Sequence, residues 1–141
     1  MSWADERAAI EMFLANEFDD LPIQFDGVPV SSLENIEDGW VRLSILPSIE
    51  GKRITLGNSD QVFRHEGFLV LSIFTPDNQG SGVSRTLADT LSNLFHERIL
   101  SYNNSGFIRC GVPGLDVLGS VEGGLYQVNV TVSYKRDVIR S

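Results

Sequence analysis

Residues 125–134, LYQVNVTVSY, carry the strictest pattern in the chain. Every second position is apolar or aromatic, and the positions between are polar; the apolar set is Tyr126, Val128, Val130, Val132 and Tyr134. Because successive side chains of a β-strand point to opposite faces, this alternation predicts a strand with one buried face. Such a strand cannot bury that face alone, so the rest of the chain must provide a sheet and a layer that covers it.

Residues 67–95 provide both in one stretch, GFLVLSIFTPDNQGSGVSRTLADTLSNLF. The segment from Phe68 to Phe74 is apolar at nearly every position, which predicts a central strand covered on both faces. After a turn rich in Pro, Gly and Ser, apolar residues recur at helical spacing. They predict the buried stripe of a helix, formed by Val83, Leu87, Leu91, Leu94 and Phe95.

The first residues predict another helix. Ser2 followed by Asp5 resembles a capping box, in which a side-chain oxygen accepts a hydrogen bond from the first helical turn. An apolar stripe of Ile10, Phe13, Leu14 and Phe18 is expected to face the core, opposed by Glu6, Glu11 and Glu17. The helix should end near Asp19 and Asp20, before Pro22.

Further strands are predicted at residues 23–25, 40–46 and 107–112, and residues 52–66 predict a long, partly apolar hairpin around the turn formers at 57–60. The 141 residues are enough for one core and show no linker, so a single domain spanning 1–141 is expected. The predicted fold class is α+β, with two helices packed on one face of a mixed, mostly antiparallel sheet and an extra β-hairpin.

The charge is uneven along the chain. Residues 1–50 carry a balance of −9 and residues 51–141 a balance of +1, within a total of −8. Tight nucleic-acid binding requires many Lys and Arg residues, so this composition argues against it, and the small cluster of Lys135, Arg136 and Arg140 is expected to be a solvated tail. No apolar run approaches a membrane span, the acidic first residues are unlike a secretory signal, and one cysteine agrees with a reducing compartment.

Sequence motifs of catalysis are incomplete. The glycines at 80 and 82 lack the lysine of a P-loop, and Arg85 stands where a dinucleotide fingerprint needs a third glycine. Two His-Glu pairs lack the second histidine of a zinc motif, because positions 69 and 100 are leucine. Cys110 alternates with Ile108 and Val112 and is predicted to be a buried structural thiol. We therefore predict no catalytic, cofactor or metal site, and no cofactor.

The order of segments resembles the tail terminator proteins of long-tailed bacteriophages. The resemblance runs through the first helix, the segments LPIQFDGVPV and WVRLSILP, the stretch ITLGNSDQVFRHEGFLVLSIFTPDNQGSG that leads into LADTLSNLF, and the final YQVNVTVSYKR. It implies a structural virion protein without enzymatic activity. Such a protein forms a ring, typically a hexamer, at the head-proximal end of the tail tube, where it ends tube polymerisation and offers an attachment surface to the head or neck.

The resemblance also implies partners: further copies of the same chain, the tail tube protein and a head or neck connector, with DNA passing through without specific binding and with no membrane. The host cytoplasm is the expected place of assembly. The partly apolar hairpin is the predicted subunit interface, through Ile54, Leu56, Val62 and Phe63, although it could instead fold back on its own sheet. Arg136 and Arg140 are predicted to face a partner, and the acidic first third is expected to line a channel that repels DNA.

Two alternatives remain open at the level of sequence. The chain could be another head-tail joining or neck protein, which would also form rings. It could also be a small anion-binding, nucleotide-binding or hydrolytic domain that uses a pocket between the second helix and the sheet, with residues 80–84 holding the anion.

Overall fold

The computed structural model describes residues 1–54 and 61–140, and the side chain of Arg140 lies outside the description. Two α-helices and eight β-strands follow one another within these described residues. Their bounds are α1 Trp3–Glu17, β1 Ile23–Gln24, β2 Trp40–Pro47, β3 Lys52–Arg53, β4 Gln61–Pro76, α2 Ser81–Phe95, β5 Ile99–Ser101, β6 Phe107–Cys110, β7 Gly114–Val121 and β8 Leu125–Arg140. Within these ranges, no helix is long and apolar enough to cross a membrane.

The strands form one sheet in the order β1-β2-β4-β8-β6-β5. In addition, β3 pairs with β4, and β7 pairs with β8. Strands β1 and β2 are parallel, and every other pairing between the described strands is antiparallel. The predicted mixed, mostly antiparallel sheet is therefore confirmed, and β4 is its central strand.

The core lies on one face of this sheet. The side chains of β2, β4 and β8 that point to this face stand opposite one another in register and are fully buried; they include Val41, Leu43, Leu71, Ile73, Val128 and Val130. Ile10 and Leu14 of α1, and Leu91 and Phe95 of α2, complete the same cluster. Both helices thus pack on one face, as predicted, and the α+β class is confirmed.

The first helix begins as the capping pattern predicts, because the Ser2 hydroxyl accepts a hydrogen bond from the Asp5 amide at 3.1 Å. Its polar face differs from the prediction. Glu6 is 2% exposed and belongs to the buried face, because it pairs with a buried arginine of β8. The prediction that Glu6 faces solvent is therefore wrong.

The buried face of α2 is turned by about one residue from the predicted stripe. Ser84, Ala88, Leu91 and Phe95 are buried, whereas Val83 is 43% exposed. Small side chains let the start of the helix lie close to the sheet, and Val83 is left on the outside. Two other predictions of burial are also wrong: Phe68 is 52% exposed on the outer face of β4, and Val112 is 64% exposed beyond the end of β6.

The longest feature of the fold is the pairing of β4 with β8. It runs over sixteen residues of each strand, from Gln61 opposite Arg140 to Pro76 opposite Leu125. At about 3.3 Å a residue the pair extends for about 50 Å, whereas a chain of this size has a radius of gyration of only about 14 Å. The apolar core stops at Leu69 and Tyr134, so the pair continues beyond it.

We call this extension the arm and define it as residues 52–54, 61–66 and 135–140. The described parts of the predicted hairpin pair antiparallel, with Lys52 opposite Arg64 and Arg53 opposite Phe63, while the predicted turn at 57–60 lies outside the described residues. The C-terminal cluster is part of the arm, since β8 continues to Arg140. The prediction of a solvated tail there is wrong, because these residues continue β8 and pair with β4.

Candidate functional site

The turn before α2 lacks the features of an anion cradle. Gly80 has a φ of +74° and lets the chain reverse into the helix. The Ser84 hydroxyl is buried and donates a hydrogen bond to the Ser81 carbonyl, so it points into its own helix. Beside the turn, Ser120 donates a 2.7 Å hydrogen bond to the carboxylate of Asp77, whose negative charge would repel an anion.

The thiol of Cys110 is buried, as predicted. Burial raises its pKa to about 11, so the nucleophilic thiolate is rare at neutral pH. The residues that the structure describes contain no cluster of three or more His, Cys, Asp and Glu side chains that could hold a metal ion. Cys110 belongs to the buried core and stands opposite Tyr134 where β6 pairs with β8.

A groove of about 750 Å³ lies over the outer part of the sheet, lined by residues that include Phe68, Ile99, Arg109, Val112 and Lys135. The groove is lined from β4, β5, β6 and β8 and not from α2. It is therefore not the pocket between α2 and the sheet that a ligand-binding domain would use. Three of its lining side chains are large, exposed and apolar: Phe68, Ile99 and Val112. Such side chains are typical of protein contact surfaces.

A buried ion pair joins α1 to the base of the arm. The Nε of Arg136 donates to Oε1 of Glu6 at 2.8 Å, and the hydroxyl of Tyr134 donates to Oε2 of Glu6 at 3.1 Å. The Nη1 of Arg136 also donates to the carbonyl of Met1 at 2.6 Å. Burial and the neighbouring Glu6 carboxylate raise the pKa of Tyr134. Each polar group in this network has a partner, which is the condition under which a buried ion pair is tolerated.

Aromatic rings enclose the same joint. Trp3 lies edge-on to His65, with ring centroids 5.6 Å apart, and the Arg136 guanidinium lies 6.0 Å from the Trp3 ring centre. Arg136 is only 3% exposed. The prediction that Arg136 faces a partner is therefore wrong: its side chain fixes the arm to α1. Arg140, the other predicted partner-facing residue, has no described side chain.

Beyond the joint, the outer face of the arm carries two rows of side chains. Arg64 holds Asp137 through two hydrogen bonds of 2.9 and 3.1 Å, and this arginine lowers the pKa of the Asp137 carboxyl. Lys52 stands opposite Arg64 and lies 3.8 Å from Glu66. The next row is apolar. It consists of Ile54, Val62 and Ile139, because the Ile54 amide bonds to Val62 and Val62 stands opposite Ile139.

The predicted interface residues lie on different faces of the arm. Ile54 is 41% exposed in the apolar row, and Val62 lies beside it, half-buried. Phe63 is half-buried and points to the opposite face, since neighbouring residues of a strand alternate. Leu56 lies outside the described residues. Sequence reasoning does not find Ile139, the most exposed of the row at 70%, because the basic cluster of Lys135, Arg136 and Arg140 predicts a solvated tail there.

A second apolar surface lies on β7, which pairs only with β8 among the described strands and is thus an edge strand. We call it the β7 patch and define it as Leu115, Val117 and Leu118, which are 49%, 39% and 47% exposed. Leu115 and Val117 stand opposite the buried Val130 and Val128, so they belong to the helix-covered face but are not themselves covered. Leu118 lies at a β-bulge. Exposed apolar edge strands are contact sites unless they are protected.

The net charge of the arm differs in sign from that of the rest of the molecule. The arm contains six basic and two acidic residues, a balance of +4, and the rest of the sequence contains five basic and seventeen acidic residues, a balance of −12. The total of −8 therefore hides a basic arm on an acidic body.

These features define a small α+β protein whose distinctive parts are surfaces rather than a catalytic constellation. The family model of the phage tail terminator protein matches residues 7–134. The chain therefore belongs to the phage tail terminator family and is a structural protein of a phage tail, associated with the virion, which confirms the resemblance. No curated protein matches the sequence.

Solved structures share the fold. One structure, of a protein whose name gives no function, superposes with a TM-score of 0.73 at 17% identity, over 96% of each chain. A chain from the virion of a native gene transfer agent particle superposes with a TM-score of 0.63 at 16% identity, over 97% of this chain and 100% of that one. At these identities the likeness establishes the architecture of the sheet and the two helices.

Proposed function

We propose that this protein assembles into a hexameric ring at the head-proximal end of the phage tail tube. There the ring ends tube polymerisation and offers its free face to the connector of the head or neck. The observation that carries the proposal is the family match over residues 7–134. Two structural features support it: an arm that extends beyond the core, and apolar side chains exposed on it.

Ring formation requires a heterologous contact, in which one surface of a subunit meets a different surface of the next and the rotation closes. A contact of standard size would bury about 800 Å² on each partner. The arm supplies one of the two surfaces, through the apolar row of Ile54, Val62 and Ile139. Phe63 contributes from the other face of the arm, and Leu56 is the remaining predicted member.

The ring would end tube polymerisation because its two faces differ. One face would bind the last ring of tube subunits, and the opposite face would lack the surface that recruits another tube subunit. Acidic residues of the first third, between 19 and 38, would line the channel, because a negative wall repels DNA and lets it pass without binding. A reconstruction of capped tubes that places residues 19–38 on the outer rim would contradict the channel assignment.

The first experiment is electron microscopy of the purified protein together with mass measurement at several concentrations, with and without polymerised tail tubes. We expect six-membered annuli, free or at one end of each tube, and shorter tubes when the protein is added during polymerisation. A protein that binds neck connectors and leaves tube growth unchanged would instead be a joining protein.

The arm is tested by Ile139→Asp, with Val83→Asp as the control. Both residues are exposed and β-branched, 70% and 43% exposed, but Val83 lies on the outer side of α2, away from the arm. We expect Ile139→Asp to prevent ring formation at concentrations where the control assembles. If the two variants assemble equally well, the arm is not part of the subunit interface.

A further inference from the structure

The described part of the chain leaves the apolar row of the arm exposed, with Ile54 at 41% and Ile139 at 70%. Leu115 of the β7 patch stands opposite Val130 on β8, and the apolar row of the arm ends at Ile139 on the same strand. Nine residues of β-strand separate these two levels by about 30 Å. The two exposed apolar surfaces are therefore held apart on a rigid, fully paired strand, and neither can cover the other in the same molecule.

The two surfaces complement each other in chemistry. On its outer face the arm presents three aliphatic side chains beside three basic residues, Lys52, Arg64 and Lys135, and two acidic residues, Glu66 and Asp137. The β7 patch also presents three aliphatic side chains, and Glu122, just beyond the strand, is exposed and acidic, whereas Asp116 stands opposite Asn129 and points to the other face of the sheet. Basic and acidic rims around apolar centres attract one another and fix the relative orientation of two partners.

The edge of β7 is poorly protected against pairing. Natural edge strands are blunted by lysine, proline or an inward-pointing charge. From Gly114 to Val121, β7 has no lysine and no proline, and its single charge is Asp116. A bulge at Leu118 is its one irregularity, and it leaves that leucine 47% exposed. An edge of this kind is suited to a permanent partner.

We infer that the β7 patch is the seat for the arm of the neighbouring subunit, so that the arm of each copy packs on β7 of the next. The occupant is a second copy of this chain. The inference rests on the proposed ring and names the second surface of its heterologous contact. Because the arm and the patch lie about 30 Å apart along β8, each subunit can bind one neighbour with each surface, as a closed ring requires.

A mixing experiment tests this assignment. Ile139→Asp disables the arm and leaves the patch intact, whereas Leu115→Asp disables the patch and leaves the arm intact. Each variant alone should need at least about tenfold more protein to assemble than the unchanged chain, because a charge enters the apolar centre of the contact. Mixed together, the two variants should form a 1:1 dimer that does not grow, because only one functional contact can form between them.

The controls separate folding from assembly. Leu115 is half exposed on an edge strand, and the melting temperature should show whether Leu115→Asp is folded. If Leu115→Asp is not folded, the milder variant Leu115→Ser replaces it in the mixing experiment. The control Val83→Asp, on the outer side of α2, should assemble alone and should not join the dimer.

Three outcomes overturn the inference. If the unchanged chain forms rings and caps tubes, and Leu115→Asp does both equally well, the seat lies elsewhere and the proposed function stands. A mixture that remains monomeric also overturns the seat, because the two surfaces then do not meet. If the unchanged chain forms no ring with or without tubes, the proposed function fails and the seat fails with it.

Discussion

At the scale of single residues, the most consequential interaction is the pair of Glu6 with Arg136. Each side chain is almost fully buried, at 3% and 2% exposed, and no water can replace a lost partner. Helical spacing already placed Glu6 one turn before Ile10, on the apolar stripe. A carboxylate at that position is the sequence signal for a buried partner, although glutamate residues are exposed in most proteins.

Replacing Glu6 by alanine should destabilise the protein by about 3–5 kcal/mol, because the Arg136 charge is left buried without its counter-charge. Urea unfolding measures this change in the free energy of unfolding. The matched control is Glu11→Ala, which removes an exposed i,i+4 pair with Arg7 and should cost no more than about 1 kcal/mol. Equal losses in the two variants would show that the joint between α1 and the arm is not held by this pair.

Cys110 should make the stability fall at alkaline pH. Its pKa is raised to about 11 in the folded chain, against an ordinary value of 9.0, so the unfolded state ionises first. The contribution is complete below about pH 9 and is lost as the pH rises towards 11, by about 2 kcal/mol. Urea midpoints at pH 8 and pH 10.5 should differ less in Cys110→Ala. An identical slope in both proteins would contradict the assignment, since Tyr134 adds its own slope equally to each.

At the scale of elements, a clean period of two predicts β2 and the first part of β8, and a continuous apolar run predicts the central part of β4; all three are confirmed. The missed strands have physical reasons. In β7 the bulge at Leu118 breaks the alternation, and β5 has only three residues. The end of β8 is not predicted from sequence, because an arginine such as Arg136 is expected to be solvated. Its burial follows only from its ion pair with Glu6 of α1. Local pattern cannot reveal a pairing between residues 130 positions apart.

Gly67 marks the point where the arm leaves the core, and it tolerates no side chain. A Cβ atom there would lie 2.5 Å from the Tyr134 hydroxyl and 2.7 Å from the Leu46 carbonyl oxygen. We expect Gly67→Ala to cost about 1–3 kcal/mol, because it forces Tyr134 away from Glu6. In Gly82→Ala, the control, the new methyl meets open space within a helix, and stability should be unchanged or rise by up to about 1 kcal/mol. Calorimetry of both variants checks the difference.

At the scale of the whole molecule, the separation of charge matters more than the total. A chain with a net charge of −8 repels its copies at long range, whereas a basic arm close to an acidic body attracts at short range. Family membership follows from the order of the segments over most of the chain. The seat of the arm does not follow from it, because it depends on which apolar side chains the fold leaves uncovered, such as Leu115.

Salt should therefore weaken the proposed ring. Raising the salt from 0.1 M to 1 M shortens the Debye length from about 10 to about 3 Å, which screens attraction between the rims of the arm and the patch. We expect the concentration needed for assembly, measured by light scattering, to rise about tenfold. Lys52→Gln, which removes one exposed charge of the arm, should assemble less well at low salt and respond less to added salt. Tighter assembly at 1 M would show that general repulsion between acidic bodies outweighs the local attraction.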